Sequence, residues 1–307
     1  MHQNEHFDSL KQRLHNKISF LDDKPEETLD STIKSLWFTA FGTPISCEAT
    51  DSIDLPELSD YQKDILNQLI EKRLNNTPLA HLTGRQRFMG IDFICDKRAL
   101  IPRKETEILG WRALKLSIEL AKLKQRINII DVCCGGGNLG LSIAFHNLNA
   151  KVYSTDISNE AVDLTIENIS YLKLHQRVCA GQGDLFSSVD HNQFHENTDI
   201  IVCNPPYISG AKVKNMNPEI SENEPVLAFD GGMFGTKIIQ RLIVDAPIFL
   251  QKKGWLIFEV GVGQGEFIIQ LCQKSKRYDS VEYLKDHSGN IRVILVRNKQ
   301  FNMLVTR

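Results

Sequence analysis

The sequence has no long apolar run and no surplus of positive charge. A helix needs roughly 20 mostly apolar residues to cross a bilayer, and no stretch approaches that, so no membrane is expected as a partner. The opening Met1-His2-Gln3-Asn4-Glu5-His6 is polar and lacks the apolar core of a secretory leader, which leads us to expect a cytoplasmic protein. Lys and Arg number 36 against 38 Asp and Glu, a net charge of −2. That balance gives no broad cationic surface, so affinity dominated by nucleic-acid phosphates is not expected, and nucleic acid enters only indirectly.

Metal-ligand spacing is missing too. The seven cysteines (Cys47, Cys95, Cys133, Cys134, Cys179, Cys203 and Cys272) are odd in number and mostly lie in apolar stretches, as reduced, buried thiols do. Cys133 and Cys134 are adjacent, but no second cysteine or histidine pair follows at zinc-ligand spacing, so no metal is expected. What the chain does have is size and core: 307 residues, 42% of them hydrophobic, enough for one large or two ordinary domains.

Residues 1–84 read as a small helical domain. Apolar residues recur at helical spacing in Phe7, Leu10, Leu14 and Ile18, in Leu29, Ile33, Leu36 and Trp37, and in Ile65, Leu66, Leu69, Ile70 and Leu74. Ser59 with Gln62 forms a capping box for the third helix. The segment carries no nucleophile or Gly-rich loop, so it is expected to pack or to recognise a partner. Residues 85–100 alternate, with Phe88, Ile91, Phe93 and Ile94 apolar around Gly90, and predict a β-hairpin linker. Residues 101–307 form the third part. There Glu105 and Glu107 stand near the start of a helix, where the macrodipole favours acids. The dipole does not account for Arg103 beside them.

From Ile127 onward strands and helices alternate, which predicts parallel strands with crossover helices: an α/β, doubly wound sheet. Strands are expected at Ile127–Val132, Lys151–Thr155, Arg177–Ala180, Asp199–Cys203, Gly254–Val260, Ser280–Leu284 and Ile291–Val296, the last two joined as an antiparallel hairpin.

A ligand loop follows the first of these strands. In Asp131-Val132-Cys133-Cys134-Gly135-Gly136-Gly137-Asn138, three glycines let the backbone turn sharply and approach a ligand, and the following helix offers free amide hydrogens. The second strand ends at Asp156-Ile157, where an acid can accept both hydroxyls of a ribose. No Gly-Lys-Ser/Thr follows the glycines, so this is not a phosphate loop. After the third strand, Asp184 is placed either to accept from an adenine amino group, with Leu185 and Phe186 covering the base, or to cap an ordinary turn.

The fourth strand runs straight into Asn204-Pro205-Pro206-Tyr207. The prolines lack amide hydrogens and fix φ, so the chain leaves the sheet extended and stiff, presenting carbonyls without competing donors. The Asn204 side-chain oxygen and the Pro205 carbonyl can accept both hydrogens of one planar NH2 group while Tyr207 stacks on its π-system. A nucleoside without phosphates beside an amide-sized shelf points to S-adenosylmethionine and methyl transfer.

These features resemble the HemK/PrmC family, methyltransferases that act on the glutamine of the Gly-Gly-Gln loop in peptide chain release factors. The resemblance runs from about Pro78 to Arg297. It includes Pro78-Leu79-Ala80-His81-Leu82-Thr83-Gly84, Leu100-Ile101-Pro102-Arg103 with Glu105-Thr106-Glu107, the loop after Asp131, Asp156, Asn204-Pro205-Pro206-Tyr207, Phe229-Asp230-Gly231-Gly232 and Glu259-Val260-Gly261. It implies a helical amino-terminal domain, a hairpin linker and a seven-stranded class I S-adenosylmethionine-dependent domain. It implies Asn204, Pro205, Pro206 and Tyr207 as the catalytic set, with Arg103 and Glu105 also on the substrate. For the cofactor it implies Asp131, Cys133, Cys134, Gly135, Gly136, Gly137, Asp156, Ile157, Asp184, Leu185 and Asn204. The chain departs from the family pattern at Cys133, usually Gly, at Cys134, usually Thr, and at Leu185, often aromatic. A cysteine holds positive φ only at a cost, so an altered loop is expected at Cys133. The alternatives are glutamine methylation of a ribosomal protein, adenine amino methylation of nucleic acid, a small-molecule methyltransferase, and a non-catalytic nucleoside-binding regulator.

Overall fold

The computed structural model describes residues 3–51, 53–213 and 215–299. The chain divides into two compact units, Met1–Lys104 with Met216–Pro225, and Glu105–Asn215 with Val226–Arg307. The hairpin predicted as a linker falls within the first unit, and so does a ten-residue excursion from the carboxyl-terminal half.

The first unit contains α1 (Gln3–Leu14), α2 (Leu29–Phe41), α3 (Asp60–Leu74), α4 (Leu79–Thr83), and a hairpin of β1 (Arg85–Phe88) and β2 (Ile91–Ile94). Helices α2 and α3 begin in capping boxes, Thr28 with Ser31 and Ser59 with Gln62, which satisfy amide hydrogens that have no intrahelical partner. The apolar stripes of α1 to α4 close one core around Leu10, Leu14, Ile33, Leu36, Trp37, Leu66, Ile70 and Leu79. The Trp37 indole, fully buried, donates to the Pro56 carbonyl at 2.8 Å. Ile18, expected on the first helix, lies beyond its end.

This unit also buries charge. Arg73 donates to Glu219 at 2.8 Å and Glu27 at 3.1 Å, and Lys24 donates to Glu219 at 3.1 Å. Arg103 donates to Glu224 at 2.6 Å and Asp23 at 2.9 Å. Glu219 and Glu224 come from the Met216–Pro225 excursion, so these buried pairs account for its membership in the unit.

The second unit begins with α5 (Glu107–Ala121) and continues β3 (Ile127–Val132), α6 (Asn138–His146), β4 (Ala150–Asp156), α7 (Asn159–Tyr171), β5 (Val178–Gln182), α8 (His191–Phe194) and β6 (Thr198–Cys203). After α9 (Gly210–Val213) the chain makes its excursion, with α10 (Pro218–Ser221), and returns to α11 (Lys237–Phe249), β7 (Leu250–Glu259), α12 (Gly265–Lys274), β8 (Tyr278–Lys285) and β9 (Ile291–Asn298). The seven strands are ordered β5-β4-β3-β6-β7-β9-β8, parallel from β5 to β7. β9 is antiparallel to both neighbours and inserts between β7 and β8, so the last strand of the chain is not the sheet edge. Every residue of β3 and β6 is buried, as central parallel strands covered on both faces require. Six cysteines are buried or partly buried; Cys179, on the edge strand β5, is exposed, which corrects the reading of it as a core thiol. Among the described residues no helix is long and apolar enough to cross a membrane.

Candidate active site

Strand order reverses at β3, which has β4 on one side and β6 on the other, so the connections leave their carboxyl ends in opposite directions. In open α/β sheets the crevice at such a point is where ligands bind. Val132 pairs with Cys203 in register, and the glycine loop therefore leaves the sheet directly beside Asn204.

The loop is held by α7: the Thr165 hydroxyl donates to the Gly135 carbonyl at 2.7 Å, and Asn168 donates to the Gly136 carbonyl at 3.0 Å. Gly137 has φ +84°, and a Cβ there would come within 2.8 Å of Leu141 and 2.9 Å of Thr165, so helix and loop meet only because the side chain is absent. Cys133 has φ +57°, so the cysteine takes the left-handed conformation that favours glycine in place of the altered loop its side chain led us to expect. Cys133 packs against the core that contains Cys203, and burial followed by that neighbouring thiol pushes the Cys203 pKa far up. Cys134 is buried, with its sulfur 3.6 Å from the Thr165 hydroxyl.

Two carboxylates frame the loop. Asp131 accepts from the Gly140 amide at 2.9 Å through Oδ2, while Oδ1 is buried without a hydrogen-bond partner among the described residues. Complete burial raises its pKa to about 7, against the Gly140 bond, which favours the charged form. Asp156 accepts from Ser158 and Gly135, both at 2.9 Å, one amide on each oxygen. This fixes the carboxylate's orientation and leaves each oxygen a second lone pair for a hydroxyl. Burial raises its pKa, and the amides of Ser158, Gly135 and Ile157 counter that. The Ile157 side chain is exposed beside it.

Asp184, by contrast, forms a forked ion pair with Arg241, both oxygens at 3.0 Å. Phe186 stacks on Phe249 in the core with centroids 4.6 Å apart, and Leu185 is buried in the same cluster at φ +53°. These side chains are packing residues here, and neither reading of Asp184 anticipated Arg241.

On the shelf, Asn204 Nδ2 donates to the Thr106 hydroxyl at 3.1 Å, which commits the amide nitrogen and leaves Oδ1 as the side chain's acceptor. Pro205 is buried; Pro206 and Tyr207 are partly buried. The Tyr207 hydroxyl lies 2.9 Å from Glu259 Oε1 and 3.2 Å from Glu105 Oε1, and accepts from Arg292 at 3.2 Å. Arg292 also bridges the two acids, at 2.7 Å to Glu105 and 3.0 Å to Glu259. Burial, then Glu259 and Glu105, raise the Tyr207 pKa well above that of an ordinary phenol, so the hydroxyl is a donor and not a base. Burial also raises Glu259, which Arg292 offsets, and the neighbouring Thr106 hydroxyl favours its ionised form.

Arg103 and Glu105 part company. Glu105 joins the Tyr207 cluster, whereas Arg103 is buried in the first unit on Asp23 and Glu224. A guanidinium already committed to two carboxylates is a structural group, so its predicted place on the substrate is not what its contacts show.

Sequence reasoning missed Thr106, Arg292 and Gln264. Gln264 Nε2 donates to the Tyr207 carbonyl at 2.9 Å and reaches the carbonyls of Phe234 and Gly235 at 3.3 Å, while its Oε1 accepts from Gly261 at 2.9 Å. The one signal for it was the glycine cluster Gly261-Val262-Gly263-Gln264-Gly265 after a buried strand. Arg292 stands second in an otherwise ordinary apolar strand and carries no local mark.

S-adenosylmethionine fits this donor set. It is a nucleoside cation without phosphates, and the site offers two acids at strand ends, a partnerless buried carboxylate oxygen at Asp131 and a close-packed glycine turn, with no phosphate-binding lysine in the loop.

Comparisons with known proteins agree. Residues 115–234 match the Methyltransferase small domain family. A release factor glutamine methyltransferase of Bacillus cereus is 32% identical over 241 residues, covering 78% of this chain and 82% of that protein. One from Moorella thermoacetica is 33% identical, covering 76% and 79%, and one from Bacillus subtilis 31% identical, covering 73% and 77%. Among solved structures, the hMettl16 catalytic domain in complex with a 3'UTR hairpin superposes with a TM-score of 0.51 at 14% identity, covering 67% of this chain and 75% of that one, a likeness of fold. The chain belongs to the release factor glutamine methyltransferase family.

Proposed function

We propose that this chain transfers a methyl group from S-adenosylmethionine to the side-chain amide nitrogen of a glutamine, in the Gly-Gly-Gln loop of a peptide chain release factor. The relatives' names supply the substrate, and the observation that carries the chemistry is the orientation of Asn204. With its nitrogen donating to Thr106, Asn204 keeps its side-chain oxygen as an acceptor at the carboxyl end of β6, one strand from the glycine loop.

The cofactor, when bound, supplies an electrophilic methyl group on a sulfonium. Asp156 and Ile157 would hold its ribose end, Asp131 would answer its positive charge, and the loop from Cys133 to Gly137 would supply the close backbone approach. Asn204 Oδ1 and the Pro205 carbonyl accept the two N–H hydrogens of the substrate amide. An amide nitrogen is a poor nucleophile because its lone pair is delocalised. Accepting both hydrogens returns density to nitrogen and fixes its direction, so positioning and preorganised electrostatics supply the acceleration. Tyr207 holds the amide plane with its ring. The shelf needs no general base: the nitrogen turns acidic on methylation and loses its proton afterwards. The first compact unit is the substrate-recognition element, and the protein works in the cytoplasm during translation termination.

The test is transfer from labelled S-adenosylmethionine into purified release factor, with the modified residue located by mass spectrometry. Label on the Gly-Gly-Gln glutamine, and its loss by at least two orders of magnitude in Asn204→Ala, is expected, taking about 2.7–4 kcal/mol for one preorganised contact. Label on any other residue would sink the reading.

A further inference from the structure

Five apolar side chains stand out in solvent around the shelf: Val226 at 56% exposure, Leu227 at 65%, Met233 at 82%, Phe234 at 78% and Val262 at 57%. A single exposed apolar residue is ordinary, but a cluster of them marks an interaction surface. These five sit on loops that converge on the residues following the prolines. Ile208 donates to the Phe229 carbonyl and accepts from Gly231, both at 2.9 Å, which seats the 226–235 stretch against the shelf's exit. Gln264 then fastens the Met233-Phe234 tip and the Val262 loop to the Tyr207 carbonyl with one amide. Gly235 has φ +69°, and a Cβ there would run into that same carbonyl, so the tip lies flush against Tyr207. The rim is therefore rigidly indexed to the group that holds the substrate amide.

We propose that Val226, Leu227, Met233, Phe234 and Val262 form the docking surface for the protein loop that presents the target glutamine, an inference that rests on the function proposed above. None of the five is charged, so the rim is suited to desolvate main chain and not to grip phosphates. A loop of glycines flanking one glutamine has little side-chain bulk, and its backbone can lie against an aromatic and a methionine, whose adaptable side chain follows an irregular surface. Covering that backbone excludes water from the hydrogen bonds made on Asn204 and Pro205.

The test compares wild type with the double variant Met233→Ser, Phe234→Ser, using intact release factor as acceptor and calorimetry for S-adenosylmethionine. The KM for the release factor should rise at least tenfold while the Kd for S-adenosylmethionine stays within twofold, which also shows that the variant is folded. Phe234→Leu, still apolar, should hold the KM within about threefold. An unchanged KM in the double variant overturns the proposal. So does loss of self-association in sedimentation without a KM change, which assigns the rim to a second copy of this chain. A wild type that methylates no Gly-Gly-Gln protein defeats the function itself, and with it this inference; a wild-type enzyme active with the KM unmoved defeats the rim alone.

Discussion

The Tyr207 hydroxyl reaches Glu259 at 2.9 Å and receives Arg292 at 3.2 Å, so the last residue of the shelf is pinned by its polar end as well as by its ring. Stacking on the substrate amide needs only the ring of Tyr207, and by itself that role makes Tyr207→Phe mild. The structure gives the opposite expectation.

Removing that hydroxyl leaves Glu259, already holding one buried oxygen without a hydrogen-bond partner among the described residues, dependent on Arg292 and Thr106. An unsatisfied buried group costs about 1–3 kcal/mol. Tyr207→Phe should therefore lower Tm by several degrees, at roughly 2–4 °C per kcal/mol for a domain of this size. Single-turnover methyl transfer with both ligands saturating should slow by about tenfold, at 1.4 kcal/mol per decade. Calorimetry and rapid-quench kinetics check both, and a variant with wild-type Tm and rate would show that the ring suffices.

The sequence was most legible where a residue's role follows from its immediate neighbours. β3 matches its expected bounds and β6 starts one residue early, because strands covered on both faces must be apolar throughout. The Ser59 capping box is a four-residue event and appears as read. At Cys133 an altered loop was the expectation, yet the residue keeps a positive φ of 57°, the conformation that favours glycine. Partners distant along the chain were not legible. Arg103 stands two residues before Glu105 in sequence but binds Asp23 and Glu224, 80 and 121 positions away. Periodicity reports that a side chain is buried, not what it meets. For the same reason Phe186 read as a cover for a base when it stacks on Phe249, and Gln264 went unnoticed although it joins three loops.

Asp131 gives a pH prediction. Its folded pKa of about 7 lies above the usual 3.8, so the folded protein holds a proton that the unfolded chain releases between those values. The group's contribution to stability is thus complete below about 3.8 and is lost as pH rises to about 7. Binding a cation favours the carboxylate and must expel that proton below pH 7. Affinity for S-adenosylmethionine should therefore climb with pH and level off above about 7. In Asp131→Asn both slopes should flatten. Calorimetric titrations from pH 5 to 8 in two buffers of different ionisation enthalpy would reveal the released proton, and parallel profiles for variant and wild type would exclude Asp131 as its source.

The buried ion pairs of the first unit change what a truncation should do. On sequence grounds, deleting residues 1–76 removes a recognition module and spares cofactor binding. In the structure that deletion strips Glu219 of Lys24 and Arg73 and takes away the Asn76 carbonyl that accepts from Asn223. Removing one side of a buried pair typically costs about 3–5 kcal/mol, because the remaining charge is left unpaired. The Met216–Pro225 segment, which follows the shelf in the chain, should then lose its order and be cut rapidly by a glutamate-specific protease at Glu219, Glu222 or Glu224. Binding of S-adenosylmethionine should persist, since Asp131, Asp156 and the glycine loop take their contacts within the second unit. Glu219→Ala in the full chain separates the two effects: it keeps residues 1–76 in place yet removes the acceptor shared by Lys24 and Arg73. It should raise the cleavage rate of the same segment severalfold and lower Tm, with cofactor affinity within twofold of wild type. If Glu219→Ala is as protease-resistant as wild type, those buried pairs do not hold the segment.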